Sequence, residues 1–121
     1  MFNSVSVLRD ARYLLLESQR SDGSWVGAPM WFAAVNDTIL LRAEADSPQL
    51  RRMSRRPIVK VTPCTRRGKP LDDYIKCMAR IAPGEREAQA ESALRRGYGP
   101  LHRALNWLTH NDHVYLELTP V

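Results

Sequence analysis

Apolar and polar positions along this chain fall into short runs of strand length rather than long helical stripes. Tyr13 to Gln19, YLLLESQ, is apolar and then polar, and Ser21-Asp22-Gly23-Ser24 supplies turn chemistry after it. The next run, WVGAPMWFAAV from Trp25 to Val35, reads as a second extended segment. Pro29 marks an edge or a bulge within it, because proline donates nothing to a ladder. Asn36-Asp37 is a two-residue hairpin signal leading into TILLRAEA, a third strand. Three strands in succession joined by tight turns predict an antiparallel meander.

The pattern changes at Ser47, an N-cap side chain followed by Pro48 at the first helical position, where a missing N–H is harmless. Leu50 and Met53 form the inner side of a short helix. Arg51 with Arg55, and Arg52 with Arg56, are spaced to line two outer rows. Pro57 ends the helix and PIVKVTPC returns to strand, with Val59 and Val61 on one face and Lys60 and Thr62 on the other. TRRGKP is a turn. LDDYIKCMARI alternates so that Leu71, Asp73, Ile75, Cys77, Ala79 and Ile81 share a face, with Asp73 the exception to its apolar character. Two helical patterns follow. The first opens on Pro83 and acidic residues, carries Arg95 and Arg96 near its end as the helix dipole prefers, and stops at Gly97 and Gly99. The second repeats Leu101, Leu105 and Leu108. A last strand, HVYLELTPV, turns Val114, Leu116 and Leu118 inward. Ser6 to Arg12 makes a short first helix with Val7, Leu8 and Ala11 on one side. The sum is mainly β with α: about six strands, mostly antiparallel, with two or three helices, a small barrel with helical decoration.

Composition changes this picture little. A chain of 121 residues with 44% hydrophobic and 26% charged side chains is expected to form one domain over residues 1–121, which excludes disorder and collagen-like repeats. Charge changes it more. Of the 18 Lys and Arg residues, eight lie between Ser47 and Pro70 with no Asp or Glu among them, so the rest of the chain holds 10 basic against 13 acidic side chains. The net charge of +5 is therefore a local patch, which points to a localised anionic partner. Cys64 and Cys77 have neither CxxC spacing nor a nearby His and read as reduced, partly buried thiols. The first twenty residues, interrupted by Arg9, Asp10 and Arg12, fit neither a signal peptide nor a membrane span, and a cytoplasmic protein is expected.

No nucleophile elbow, P-loop, HExxH or dinucleotide glycine fingerprint is present. His110 and His113 lack further ligands at metal spacing and read as surface residues. Asp72 and Asp73 are neighbours on a strand and point to opposite faces, so they do not act as a pair. The arginine cluster has three readings. It is a solvated helix face, or a nucleic-acid surface, or the surround of a phosphate or carboxylate with the Ser47 helix start donating backbone N–H groups. The second ranks low because Ser47 to Pro70 holds no aromatic residue on which a base would stack. The third calls for an apolar wall, which APMWF supplies through Met30 and either Trp31 or Phe32, since alternation puts those two on opposite faces.

Taken together, ARYLLLESQRSDGSWVGAPMWFA, LLRAEADS, RRMSRRPIVKVTPCTRRGKP, LRRGYGPLHR and VYLELTP resemble, in order and over Leu8 to Pro120, the flavin- and deazaflavin (F420)-dependent oxidoreductases of the pyridoxamine 5′-phosphate oxidase-like class. That resemblance implies a six-stranded antiparallel split β-barrel, a homodimer with two cofactor sites at its interface, and F420, or alternatively FMN, transferring a hydride to a small conjugated acceptor. It also accounts for the missing acid/base constellation, because the redox chemistry resides in the cofactor. By the same resemblance Pro29, Met30, Trp31 and Phe32 lie along the tricyclic ring. Arg42, Ala43 and Glu44 sit on the strand feeding the phosphate site, Ser47, Gln49 and Leu50 form the phosphate-binding turn, and Thr62 with Pro63 lines the adjoining strand. Where relatives commonly carry Thr, Ser-Gly-Lys and Asn-Pro, this chain has Ala43, Ser47-Pro48-Gln49 and Arg56-Pro57. Arg51 or Arg52 is the candidate replacement for the missing lysine. The alternative in another class is a non-catalytic flavin or tetrapyrrole carrier, or a stress-related protein that has lost its cofactor, on the same fold.

Overall fold

The fold, a computed structural model, describes residues 8, 11–35, 37–82, 88–90, 92–94, 96 and 113–121. Seven strands and one named helix follow in chain order: β1 (Tyr13–Gln19), β2 (Trp25–Met30), β3 (Ala33–Val35), β4 (Thr38–Glu44), α1 (Pro48–Arg55), β5 (Ile58–Cys64), β6 (Ile75–Ile81) and β7 (His113–Pro120). Residues 88–90, 92–94 and 96 are also helical. The strands form one sheet in the order β2-β1-β5-β6-β7-β4-β3, antiparallel at every pairing. Its two edges, β2 and β3, are separated in the chain only by Trp31 and Phe32. Two residues span at most about 7 Å of extended chain, so the sheet has to curl until its edges approach, which makes a split barrel.

This arrangement corrects the expected meander. The run WVGAPMWFAAV is two strands, not one, and its halves pair with opposite ends of the sheet: β2 with β1, β3 with β4. The seventh strand comes from that division. Its cause is visible in the two linking residues, for Phe32 is 7% exposed and packs in the barrel interior, whereas Trp31 packs on the outer cluster formed by Leu40, Ala82, Ala90, Leu94 and Tyr115. Pro29 lies on edge strand β2, where its missing N–H leaves no ladder bond broken.

Leu14, Leu16, Ile39, Leu41, Val59, Val61, Cys77 and Leu118 are fully buried in the interior, each from a strand whose alternate residues face outward. The Arg20–Ser24 turn closes β1 on β2, with Gly23 at φ +93°, a conformation favouring glycine, and Asp22 Oδ1 accepting from the Ser24 N–H at 2.9 Å. At α1 the expected cap is present: Ser47 Oγ accepts from the Leu50 N–H at 3.1 Å and Pro48 opens the helix. Leu50 and Met53 are buried, and α1 packs against β1, β4 and β6.

Strand β6 begins at Ile75, not Leu71. Leu71 is 60% exposed, Asp73 is exposed, and the segment before Ile75 is held by side-chain bonds that compete with a ladder: Thr62 Oγ1 donates to the Asp72 carbonyl at 2.8 Å and Asp72 Oδ1 accepts from the Asp73 N–H at 2.7 Å. That loop lets Pro63 stand inside β5. The β5–β6 ladder ends at Val61–Ile75, and the Pro63 carbonyl receives the Leu71 N–H at 2.9 Å instead. Thr62, expected on the face opposite Val61, is there but fully buried beneath the loop.

Leu8 is buried in a 3₁₀ turn, with its carbonyl accepting from the Ala11 N–H at 3.1 Å, so the helix expected over Ser6 to Arg12 has ended by Ala11. Gly97, Gly99, Leu101, Leu105, Leu108 and His110 lie outside the described residues. Among the described residues no helix is long and apolar enough to cross a membrane.

Candidate functional site

The strand end at Met30 and the start of α1 meet. Gln49 Nε2 is 3.3 Å from the Met30 Sδ, a contact between two half-buried side chains nineteen residues apart. The sheet register extends this neighbourhood. Met30 pairs with Leu14 and Leu14 with Pro63, so these three form a row across β2, β1 and β5; Pro29, Leu15 and Thr62 form the adjacent row. Four residues expected on two separate segments, Pro29, Met30, Thr62 and Pro63, therefore stand one strand apart, about 10 Å across the sheet. Their faces differ. Met30 packs against the interior, whereas Pro29 and Leu15 face outward, where the 65–70 turn lies over them; a Cβ added at Gly68 would stand 3.8 Å from both side chains.

The remaining expected residues distribute as follows. Arg42 and Glu44 are on the outward side of β4, paired with Tyr115 and His113 of β7, while Ala43 between them is 5% exposed and packs in the interior. Phe32 and Leu50 are likewise buried in the interior, Pro63 is buried, and Thr62 is buried on the other face beneath the loop. Trp31, Met30, Arg42, Ser47 and Gln49 are half-buried, and Pro29, Glu44 and Arg51 are exposed. The accessible part of the expected site is thus Met30 at the end of β2 with the Ser47–Gln49 turn, while Trp31 packs on the outer cluster. Its fit to an anionic ring cofactor is partial: an apolar contact and a helix start are present, but Ser47 Oγ is engaged as the cap and Gln49 Nε2 is directed at sulfur.

The arginines do not act as a row of equals. Arg51 pairs with Asp46, immediately outside the acid-free segment, at 3.0 Å. Arg52 is half-buried rather than on an outer row; its Nε donates at 2.8 Å to the Oγ of the fully buried Ser18. Arg56 Nη2 donates to the Ser21 carbonyl at 3.1 Å, tying the β1–β2 turn to the helix end. Arg51, Arg52 and Arg55 then line, with Arg20, Ser21 and Pro48, a cleft of about 250 Å³. Arg20 and Ser21 were not anticipated, because the sequence signal there is only that of a turn. The register of β1 and the packing of α1 bring them to the helix.

A second cluster went unrecognised in the sequence. Lys60 Nζ lies 4.4 Å from the Trp25 ring centre and 5.1 Å from that of Tyr74, and 3.8 Å from Glu17 Oε1. Tyr74 donates to Glu17 Oε2 at 2.7 Å, a bond to a carboxylate that pushes the phenol up to about 12. Both thiols are inert by burial: desolvation raises Cys64 and pushes Cys77 up to about 11. Among the described residues no group of three His, Cys, Asp or Glu side chains is arranged to hold a metal ion.

No protein-family model matches the chain, and no curated protein matches it. Solved structures do. A pyridoxamine 5′-phosphate oxidase-like protein from Listeria innocua superposes with a TM-score of 0.67 at 17% identity, covering 96% of this chain and 89% of that one. An F420 reductase gives 0.64 at 21% identity, covering 98% and 93%. HutZ, a heme storage protein from Vibrio cholerae, gives 0.72 at 13% identity, covering 93% and 83%. At these identities the likeness is one of architecture, and the chain has the split β-barrel fold found in pyridoxamine 5′-phosphate oxidase-like proteins.

Proposed function

We propose that this chain is a flavin-type oxidoreductase that uses F420, or alternatively FMN, to pass a hydride to a small conjugated acceptor. The observation that carries the reading is the Met30–Gln49 contact, which joins the end of the strand that would line the ring to the turn that would hold the phosphate, on a fold shared with an F420 reductase. When bound, the cofactor supplies the hydride chemistry. Met30 would give it an apolar contact, the α1 start offers a positive dipole end, and Arg51 brings charge to the same turn. Titration of the purified protein with F420 and with FMN, followed by cofactor fluorescence, tests this; saturable micromolar binding is expected, tighter for F420.

The same reading includes a homodimer with the cofactor at the interface. Its support is the exposure of apolar side chains on and near β6 and at Val121: Met78 is 42% exposed, Leu71 60% and Val121 60%. Exposed apolar side chains of this size favour a protein partner.

A second reading, a ligand carrier without redox activity, has its own support. Ala43 is buried and offers no hydroxyl, and the Gln49 amide is turned to a thioether. HutZ shows that a heme storage protein is built on this architecture. Titration with heme beside the two flavins separates the readings: the carrier binds heme and neither flavin.

A further inference from the structure

We propose that the cleft between α1 and the β1–β2 turn binds a diphosphate group, free or carried on a larger molecule. At about 100° per residue, Pro48, Arg51, Arg52 and Arg55 share one face of α1 while Leu50 and Met53 take the other, and Gln49 lies to one side. The cleft is thus on a different face of α1 from the core-facing one, and it is completed by Arg20 and Ser21 from the turn.

Four arginines line this space. Each is permanently charged and presents a planar fork of donors that matches phosphoryl oxygens. Three are already held. Arg52 is anchored on the buried Ser18 hydroxyl at 2.8 Å, Arg51 on Asp46 at 3.0 Å, and Arg20 donates to Ser24 Oγ at 3.2 Å. The Arg56 bond to the Ser21 carbonyl fixes the turn against the helix. Arg55 has no hydrogen-bond or ion-pair partner among the described residues. Crowding four like charges opposes folding, the nearby Asp46 and Asp22 offset part of that repulsion, and a bound polyanion offsets more.

Size and lining narrow the class. About 250 Å³ is several times the share of liquid volume taken by one water, roughly 30 Å³, and exceeds what a single phosphoryl group fills. Among the described residues no aromatic side chain lines the cleft to grip a ring or base. The anion itself carries the recognition. A diphosphate, with oxygens at both ends, reaches Arg20 on one wall and Arg55 on the other.

Isothermal titration with pyrophosphate, orthophosphate, ADP and sulfate at matched ionic strength tests the assignment, using the native chain and the Arg20→Ala, Arg55→Ala and Arg55→Lys variants. One pyrophosphate per chain is expected, with orthophosphate and sulfate at least about tenfold weaker and each Ala variant losing about tenfold or more, as befits a charge-assisted bond. Arg55→Lys retains part of the affinity. ADP binding as tightly as pyrophosphate assigns a carried diphosphate; pyrophosphate binding without ADP assigns the free anion. Circular dichroism verifies that the variants are folded. Absence of saturable pyrophosphate binding at millimolar concentration, equal binding by all variants, or an identical curve with sulfate overturns the proposal. It does not rest on the cofactor reading, and a chain that takes diphosphate but neither F420 nor FMN separates the two.

Discussion

Gln49 Nε2 meets the Met30 Sδ at 3.3 Å, joining the first turn of α1 to the last residue of edge strand β2. A thioether is a weak acceptor, so this bond positions the amide at small energetic gain. The position stands where a lysine is common in the family that the sequence resembles. Gln49→Lys is therefore expected to raise affinity for an anionic cofactor by about tenfold to a hundredfold, since a charge-assisted bond contributes roughly 1.5–3 kcal/mol. Fluorescence titration with F420 and FMN measures it. A small Gln49→Lys gain beside a large loss in Arg51→Ala would give the role to Arg51.

Arg52 and Ser18 form a pair whose halves are unequal. Ser18 is fully buried, so Arg52→Ala strands its hydroxyl and is expected to destabilise the chain by about 1–3 kcal/mol. The double variant Arg52→Ala with Ser18→Ala leaves no orphan and is expected to recover part of that loss. Urea denaturation of the native chain, both single variants and the double variant completes the cycle. Strict additivity would deny the coupling.

Glu117 is 3% exposed and accepts from Arg80 Nε at 2.6 Å, whereas the Arg80 side chain is 64% exposed. Removing the guanidinium leaves a buried carboxylate. Arg80→Ala is expected to cost up to about 3–5 kcal/mol, an upper bound because Glu117 has other interactions. Replacing the carboxylate as well, in Arg80→Ala with Glu117→Gln, is expected to be milder than Arg80→Ala alone. Thermal unfolding ranks the two.

Tyr74 is raised to about 12, first by its bond to Glu17 and then by desolvation. The neutral phenol is the favoured form in the fold. Its contribution to stability is therefore complete below the unfolded tyrosine value near 10 and is lost as pH rises through about 12. Tyrosinate absorbance during alkaline titration should show one late-titrating phenol, absent in Tyr74→Phe and shifted down in Glu17→Gln. Stability measured between pH 10 and 12 should fall less steeply in Tyr74→Phe.

The proposed dimer makes a separate prediction. Charges introduced at Met78 and Val121, as Met78→Asp with Val121→Asp, should convert a dimer to a monomer in light scattering while leaving circular dichroism unchanged, because both side chains are exposed in the protomer. A native chain that is monomeric at micromolar concentration would remove the interfacial site.

Local chemistry was sufficient wherever one segment settles its own conformation. The Ser47-Pro48 start and Leu50–Met53 face of α1, the Asp22-Gly23 turn, and the alternation of Val59 with Val61 all stand in the fold as the residues dictate, because caps, positive-φ glycines and period-two burial are decided within a few residues. The segments expected to line a cofactor were legible only by resemblance, and the register then set Met30 and Pro63 on either side of Leu14. Tertiary structure alone decided that WVGAPMWFAAV divides at Trp31 and Phe32, that Thr62 is sealed under the 65–74 loop, and that Arg20 and Arg55 line one cleft. In each case the choice lies between two surfaces that an isolated segment presents equally well. Which one is buried depends on curling a seven-stranded sheet until its edges meet, and that closure is a property of the whole chain.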